Sequence, residues 1–169
     1  SDEVVYFSTM RKVCHLALEF KNIYLLGIVP TYASTQYGYI QVNNTTSSVL
    51  KVEAFIEKPN FEQACKLVKK NFVLWNSGIF VARRSVLFRA FSENWEHSEL
   101  FPNELLSRSA LERLYFEIPD SSFDRDVLES VDNLFAVPVS FDWIDVGDPQ
   151  RLQSAFFSGL CEMKQASKS

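Results

Sequence analysis

The chain has 169 residues, of which 47% are hydrophobic, and its 15 Phe, 6 Tyr and 3 Trp exclude an intrinsically disordered segment. Its 17 basic and 21 acidic residues give a net charge of -4, the wrong sign for a protein that binds chiefly nucleic-acid phosphates. No apolar run approaches the roughly 20 residues that cross a bilayer, and the five glycines never cluster, which excludes a P-loop and a dinucleotide fingerprint. The composition therefore favours a single globular domain over residues 1–169.

The cysteines and the N-terminal residues indicate the compartment. Cys14, Cys65 and Cys161 are widely spaced and form no CxxC pair, so the sequence predicts neither a disulfide framework nor a zinc site. The first residues lack the basic segment and apolar stretch of a secretory signal. We therefore expect a cytoplasmic protein with reduced thiols and with no membrane or nucleic-acid partner.

Two helices and three strands are predicted in the first half of the chain. Apolar residues at three- and four-residue spacing predict a helix over 4–20. The continuous apolar run 23–29, ended by Pro30, is typical of a strand covered on both faces. Alternating patterns at 38–42 and 49–57, joined by a polar connection, predict a β-hairpin. Asn60 and Gln63 form a capping-box pair that starts a helix through Lys70.

The second half continues the alternation of strands and helices. Residues 78–82 and 134–139 read as strands, and residues 84–116 read as helical with a break near Phe101 and Pro102. A short amphipathic helix is predicted within 121–131, and Asp148 and Pro149 are typical of the start of a last helix through about Leu160. This order predicts an α/β sandwich with a partly parallel sheet.

Four of the five glycines lie at strand or turn ends, in TQYGYI (35–40), WNSGIF (75–80) and WIDVGDP (143–149) and at Gly27 before IVPT. In an open α/β sheet, ligands bind outside the carboxyl ends of the strands, so these four positions predict one site. After the hairpin, Glu57 and Lys58 place a carboxylate beside an ammonium, which suits a sugar hydroxyl and a phosphate. The alternative is an exposed strand end with ordinary surface charges.

Five segments, taken in order, resemble the mannose-1-phosphate guanylyltransferase family of sugar-phosphate nucleotidyltransferases. They are LGIVPTYASTQYGYI (26–40), VEAFIEKP (52–59), LWNSGIFV (74–81), SSFDRDVLE (121–129) and FDWIDVGDPQRL (141–152). The resemblance implies an α/β, Rossmann-like nucleotide-diphospho-sugar transferase fold, in its C-terminal portion, with a mixed sheet flanked by helices. It also implies that residues 1–169 are one domain, the C-terminal part of a nucleotidyltransferase catalytic domain.

The family's metal site maps onto two aspartates of this sequence. The opening SDEVV is similar to a Ser-Asp-His segment that ends a central strand in the family, and Glu3 replaces its histidine. The resemblance implies that Asp2 and Asp145 hold Mg²⁺, which prefers carboxylate and phosphate oxygens. For Asp145 the alternative is a turn aspartate that bonds its own backbone, and for Asp2 it is a chain end that frays.

The family's sugar site maps onto four further residues. The resemblance implies that Gly38, Glu57 and Asn76 bind mannose and that Lys58, a catalytic residue together with the two aspartates, binds the sugar phosphate. Gly38 would let the backbone approach the sugar closely, although it could equally be a glycine at the start of a strand. Asn76 could equally be a turn residue before Ser77.

The chain departs from the family pattern in ways that bear on activity. Gln36 stands where the family has a glycine, Arg125 stands where an aromatic residue is usual, and the family's glycine-rich phosphate loop has no counterpart in these 169 residues. The resemblance implies mannose-1-phosphate and GTP as substrates, but we expect the chain alone to synthesise little GDP-mannose. We also expect an uncovered sheet edge or apolar face, and hence self-association or pairing with a complementary upstream fragment. A non-catalytic sugar-phosphate-binding or interaction module is the main alternative, and an enzyme for another sugar-1-phosphate is the lesser one.

Overall fold

The computed structural model describes residues 2–94, 107–117, 120, 122–145, 147 and 153. Along the described chain run helix α1 (Asp2–Glu19), strands β1 (Ile23–Ile28), β2 (Tyr39–Val42) and β3 (Leu50–Ile56), helix α2 (Phe61–Val68), strand β4 (Val73–Val81), helices α3 (Arg84–Asn94) and α4 (Arg108–Glu117), a π-helical turn (Asp124–Leu128) and strand β5 (Leu134–Pro138). Cys161 and the predicted break near Phe101 lie outside the described residues, as does the predicted last helix from Asp148 apart from Gln153, which is helical.

Most of the predicted elements form. The capping box at α2 is present, since the Asn60 side chain accepts a hydrogen bond from the Gln63 backbone N–H and the Gln63 side chain accepts one from the Asn60 backbone N–H. The hairpin of β2 and β3 is antiparallel, and β1 runs parallel to β5, so the predicted mixed sheet is confirmed. Among the described residues, no helix is long and apolar enough to cross a membrane.

Strand β4 is longer than the sequence suggested. The prediction of a strand over 78–82 was wrong in its start, because β4 begins at Val73 and ends at Val81. Asn76, Ser77 and Gly78 look like a turn in the sequence, yet β4 passes through them. Val73, Leu74 and Trp75 are buried, and the burial of these side chains holds the first half of the strand against β2.

The five strands form a closed sheet in the order β1, β4, β2, β3, β5, with β5 returning to β1. The parallel β1–β5 pairing runs from Ile23 opposite Leu134 to Gly27 opposite Pro138, whereas β3 meets β5 only at Leu50 and Lys51. Of the two expected alternatives, an uncovered sheet edge or an uncovered apolar face, the first was wrong for the described part of the chain, because β5 lies between β1 and β3. Large apolar side chains do remain exposed on α1, including Val4, Phe7 and Leu18.

Side chains of β1 alternate between two packed layers, as the buried apolar run predicted. Ile23 and Leu25 pack in the same cluster as Val86 of α3 and Val127 of the π-helical turn. The intervening Tyr24 and Leu26 pack in the cluster that includes Val13 and Ala17 of α1. A third cluster, built on Tyr39 and Trp75, contains Ala64 and Leu67 of α2. Both faces of the strands are thus covered by helices, and the polar strand ends are left for a site.

Candidate functional site

An irregularity in the pairing of β1 with β4 brings Asn76 to the edge of a cleft. Between the pairs Leu25–Phe80 and Gly27–Asn76, a single residue of β1 faces three residues of β4. The extra residues form a bulge, a feature that re-aims side chains beside functional sites. Gly78 adopts a φ of 76°, a conformation that glycine accepts without strain, and its N–H donates to Asn76 Oδ1 at 3.1 Å. The bulge thereby fixes the oxygen end of the Asn76 amide.

The chain approaches Asn76 closely at Gly38, just before β2. The Asn76 N–H donates to the Gly38 carbonyl oxygen at 2.8 Å. A Cβ at Gly38 would lie 2.7 Å from Glu57 Oε2 and 3.1 Å from Phe55 Cζ. A side chain at position 38 would therefore have to displace the Glu57 carboxylate, and glycine leaves that carboxylate in place beside Asn76.

Glu57 follows β3 and presents a carboxylate of altered acidity to the cleft. Its side chain is only 11% exposed. Burial raises the pKa of Glu57, the negative charges of Asp124 and Glu129 raise it further, and Lys58 acts in the opposite direction. The cause is that withdrawing the carboxylate from water and placing it near other carboxylates both disfavour its charged form.

Lys58 extends from the cleft into solvent. Its side chain is 60% exposed, and its Nζ lies 3.5 Å from Glu57 Oε1. The residue has a φ of 43°, in the left-handed region that non-glycine residues rarely adopt. An exposed ammonium in loose contact with one carboxylate contributes little to stability and can bind an anion at the mouth of the cleft.

The π-helical turn and the residue after it supply two carboxylates that sequence reasoning left without a role. Asp124 Oδ1 accepts a hydrogen bond from Asn76 Nδ2 at 2.9 Å, and Glu129 Oε1 accepts one from the Glu57 N–H at 3.0 Å. Both belong to the SSFDRDVLE segment, whose three closely spaced acidic residues were the available signal. No local pattern shows which strand each would reach, because the partners lie 48 and 72 residues away.

Aromatic rings form one wall near the cleft. Tyr37 packs edge-on against Trp143 with ring centroids 5.3 Å apart, and against Trp75 at 5.1 Å. The Tyr39 hydroxyl accepts from the Ser34 N–H and donates to the Ser34 carbonyl, both at 2.9 Å. These contacts hold the 32–38 segment between β1 and β2 against the start of β2.

The two aspartates predicted to hold Mg²⁺ occupy different surroundings. Asp145 lines the cleft with Glu57 and Asn76, and its Oδ1 accepts from the Gly147 N–H at 2.8 Å, the turn contact named as the alternative. Asp2 lies in the first turn of α1, where an acidic side chain favours the helix. The expectation that the Asp2 segment ends a strand was therefore wrong. Asp2 lines a neighbouring cleft, and the two clefts share Trp143.

The described residues contain no group of three or more His, Cys, Asp or Glu side chains that could hold a metal ion. Two carboxylates and a hard cation are still chemically compatible, because Mg²⁺ completes its octahedron with waters and with substrate phosphates. Asp2 and Asp145 alone would leave most positions of such an ion to waters and phosphate oxygens.

The structure brings together five of the six predicted site residues. The cleft has a volume of about 260 Å³. It is lined by Gln36, Tyr37, Gly38, Glu57, Lys58, Asn76, Ser77, Gly78, Asp124, Trp143 and Asp145. Asp2 lies outside this set. The lining combines the ammonium of Lys58, three carboxylates, two amides and aromatic rings, so it offers hydrogen-bond partners for hydroxyl groups and a cation for an anion.

A sequence model of the nucleotidyl transferase family matches residues 1–158, and the chain belongs to this family. The expected resemblance to mannose-1-phosphate guanylyltransferases is confirmed by curated relatives. One, from Salmonella montevideo, is 32% identical over 167 residues, with 86% of this chain and 34% of the relative covered. The alginate biosynthesis protein AlgA of Pseudomonas fluorescens is 31% identical over 146 residues, covering 78% of this chain and 30% of that protein. The chain thus spans about a third of the length of these relatives.

Solved structures agree with the fold. The crystal structure of mannose-1-phosphate geranyltransferase from Thermus thermophilus superposes with a TM-score of 0.77 at 29% identity, over 90% of this chain and 45% of that one. Mannose-6-phosphate isomerase from Helicobacter pylori superposes with a TM-score of 0.70 at 22% identity, over 86% of this chain and 60% of that one, and supports the fold alone. The expected nucleotidyltransferase-type α/β fold with a mixed sheet is confirmed.

Proposed function

We propose that this chain carries the sugar-phosphate-binding part of a nucleotidyltransferase that converts mannose-1-phosphate and GTP into GDP-mannose and pyrophosphate. The observation that supports the proposal most directly is the convergence of Gly38, Glu57, Lys58 and Asn76 on one cleft. The relatives named mannose-1-phosphate guanylyltransferase support the choice of sugar and nucleotide.

In this reaction an oxygen of mannose-1-phosphate attacks the α-phosphorus of GTP, the new P–O bond forms, and the bond to the β-phosphate breaks as pyrophosphate leaves. No covalent intermediate with the protein is needed, so catalysis consists of positioning and charge neutralisation. Lys58 would bind the phosphate of the sugar at the mouth of the cleft. Glu57 and Asn76, deeper in the cleft, would bind sugar hydroxyls.

We propose that Mg²⁺ binds near Asp145, with Asp2 as the second carboxylate. Support comes from the donor chemistry and from the position of Asp145 in the sugar cleft. The ion would neutralise charge on the phosphates of the bound substrates.

Cys14 and Cys65 are free thiols, and Cys14 is exposed, which favours a reducing compartment and hence the cytoplasm.

Titration calorimetry with mannose-1-phosphate tests the sugar site. Replacing Lys58 with Ala removes the ammonium from the cleft mouth. We expect affinity to fall about tenfold, near 1.5 kcal/mol, the low end for a hydrogen bond to a charged group, because Lys58 is largely exposed. Lys66→Ala is the matched control, since Lys66 is similarly exposed on α2 and pairs with Glu62. Equal binding by Lys58→Ala and the parent would remove Lys58 from the site.

A pyrophosphate-release assay with GTP, mannose-1-phosphate and Mg²⁺ tests turnover. We expect little release, because no glycine-rich loop is present in these 169 residues to neutralise the triphosphate. Addition of the N-terminal segment of a relative should restore release if the chain is part of an enzyme. Binding of mannose-1-phosphate without any restored turnover would favour the alternative, a sugar-phosphate-binding module. Tighter binding of a different sugar-1-phosphate would favour the second alternative, an enzyme that acts on another sugar.

A further inference from the structure

The amide of Asn76 is held at both ends by the protein. Its Oδ1 accepts from the Gly78 N–H at 3.1 Å, and its Nδ2 donates to Asp124 Oδ1 at 2.9 Å. The opposite orientation would place the amide NH₂ against an N–H and the amide oxygen against a carboxylate. Both of those contacts are repulsive, so the two partners together allow one orientation of the amide.

The partner of Asn76 is itself held firmly. Asp124 begins the π-helical turn, and Val127 and Leu128 of the same turn are buried in the core. The preceding Phe123 stacks on Phe91 with ring centroids 5.0 Å apart and an interplanar angle of 26°. A carboxylate on such a support keeps its position when a ligand enters, which is the requirement for orienting another side chain.

We propose that Asp124 is a positioning residue of the sugar cleft, which fixes the Asn76 amide so that one N–H remains to donate to a sugar hydroxyl. An amide NH₂ has two donors, and Asp124 accepts from one of them. The Gly78 N–H uses one lone pair of the amide oxygen, so Asn76 offers a ligand one N–H donor and the second lone pair of that oxygen, both in a fixed orientation. A sugar binds well only when one of its hydroxyl oxygens faces this N–H. Asn76 and Asp124 together therefore select the stereochemistry of the sugar. This proposal rests on the proposed function.

The orientation of Asn76 can be measured without a ligand. In the ¹⁵N-labelled chain, the Asn76 side-chain amide protons should exchange slowly with water, and Asp124→Ala should speed that exchange at least severalfold. Asn133 is an internal control, because its Nδ2 donates to the Lys21 carbonyl at 2.8 Å, a contact that does not involve Asp124. Exchange at Asn76 that does not change in Asp124→Ala would overturn the proposal.

Calorimetry with mannose-1-phosphate measures the consequence for binding. Asp124→Ala should weaken binding about tenfold, whereas Asp126→Ala should bind as the parent does. Asp126 is the matched control because it lies in the same turn and accepts from the local Ser122 N–H, at 3.2 Å. If Asp124 acts through Asn76, the double variant Asp124→Ala/Asn76→Ala should bind no more weakly than Asn76→Ala alone. Additive losses would show that Asp124 acts independently, and would overturn the proposal.

A variant in which residues 76 and 124 are exchanged distinguishes a loss of binding from a loss of folding. The variant Asn76→Asp/Asp124→Asn retains one amide, one carboxylate and the total charge, and residue 76 can still accept from Gly78. It should unfold at nearly the parent temperature but lose mannose-1-phosphate affinity, because residue 76 no longer donates. Parent-like affinity in the swap would overturn the proposal. If the parent binds no sugar phosphate while Asn76 exchange still depends on Asp124, the proposed function fails and the orienting contact stands.

Discussion

Replacing Gly38 with Ala tests the geometry of the cleft most directly. The new Cβ would lie 2.7 Å from Glu57 Oε2, so the oxygen must move by about 0.7 Å to reach the 3.4 Å at which ordinary contact begins. Phe55 Cζ, at 3.1 Å, must move by about 0.3 Å, and its ring is buried. Overpacking of this kind costs about 1 to 3 kcal/mol. We expect the low end, about 1 kcal/mol, because the closest atom ends a flexible side chain.

The same displacement should weaken sugar binding. If Glu57 accepts a hydrogen bond from a sugar hydroxyl, moving its carboxylate by more than half an ångström lengthens that bond beyond useful range, and we expect about a tenfold loss of mannose-1-phosphate affinity. Chemical denaturation and titration calorimetry measure the two effects separately. Val13→Ala is the control, because Val13 of α1 is fully buried in the cluster with Tyr24 and Leu26 and does not line the cleft.

Val13→Ala removes buried methyl groups and should lower the free energy of unfolding at least as much as Gly38→Ala, but its folded fraction should bind the sugar phosphate with parent affinity. A Gly38→Ala variant with unchanged stability and unchanged affinity would refute the reasoning, since the cleft would then accommodate a methyl group without displacing Glu57 or Phe55.

Two further predictions concern charge and helix capping. The raised pKa of Glu57 means that its protonated form is favoured in the folded state, so its contribution to stability is fully present below its ordinary value of 4.5 and is lost as pH rises through the folded pKa. Glu57→Gln should therefore raise the free energy of unfolding at neutral pH and leave it unchanged below pH 4.5. Denaturation curves in which the difference between Glu57→Gln and the parent does not depend on pH would contradict this. Asn60→Ala removes the capping box of α2 and should lower the free energy of unfolding, measured by urea denaturation, by about 1 kcal/mol. Asn60→Asp can still accept from the Gln63 N–H and should keep most of that free energy.

Local chemistry decided the elements that sequence reasoning predicted well. The capping box at Asn60 and the apolar run of β1 act within a few residues, so the pattern that forms each element is visible in the sequence itself. The pairing of a carboxylate with an ammonium at Glu57 and Lys58 was visible for the same reason. The prediction that Glu57 and Lys58 share a site with Gly38 and Asn76 rested on the order of motifs shared with a family. The structure brings these four residues into one cleft.

Contacts between distant segments decided the rest. Asn76 to Gly78 read locally as a turn, but the burial of Val73 to Trp75 and the pairing with β1 and β2 make them part of a strand. The contacts of Asp124 with Asn76 and of Glu129 with Glu57 span 48 and 72 residues. The closure of the sheet depends on β5 pairing with both β1 and β3. Such contacts form because folding removes apolar surface from water across the whole chain, and no window of neighbouring residues specifies which distant side chains then meet.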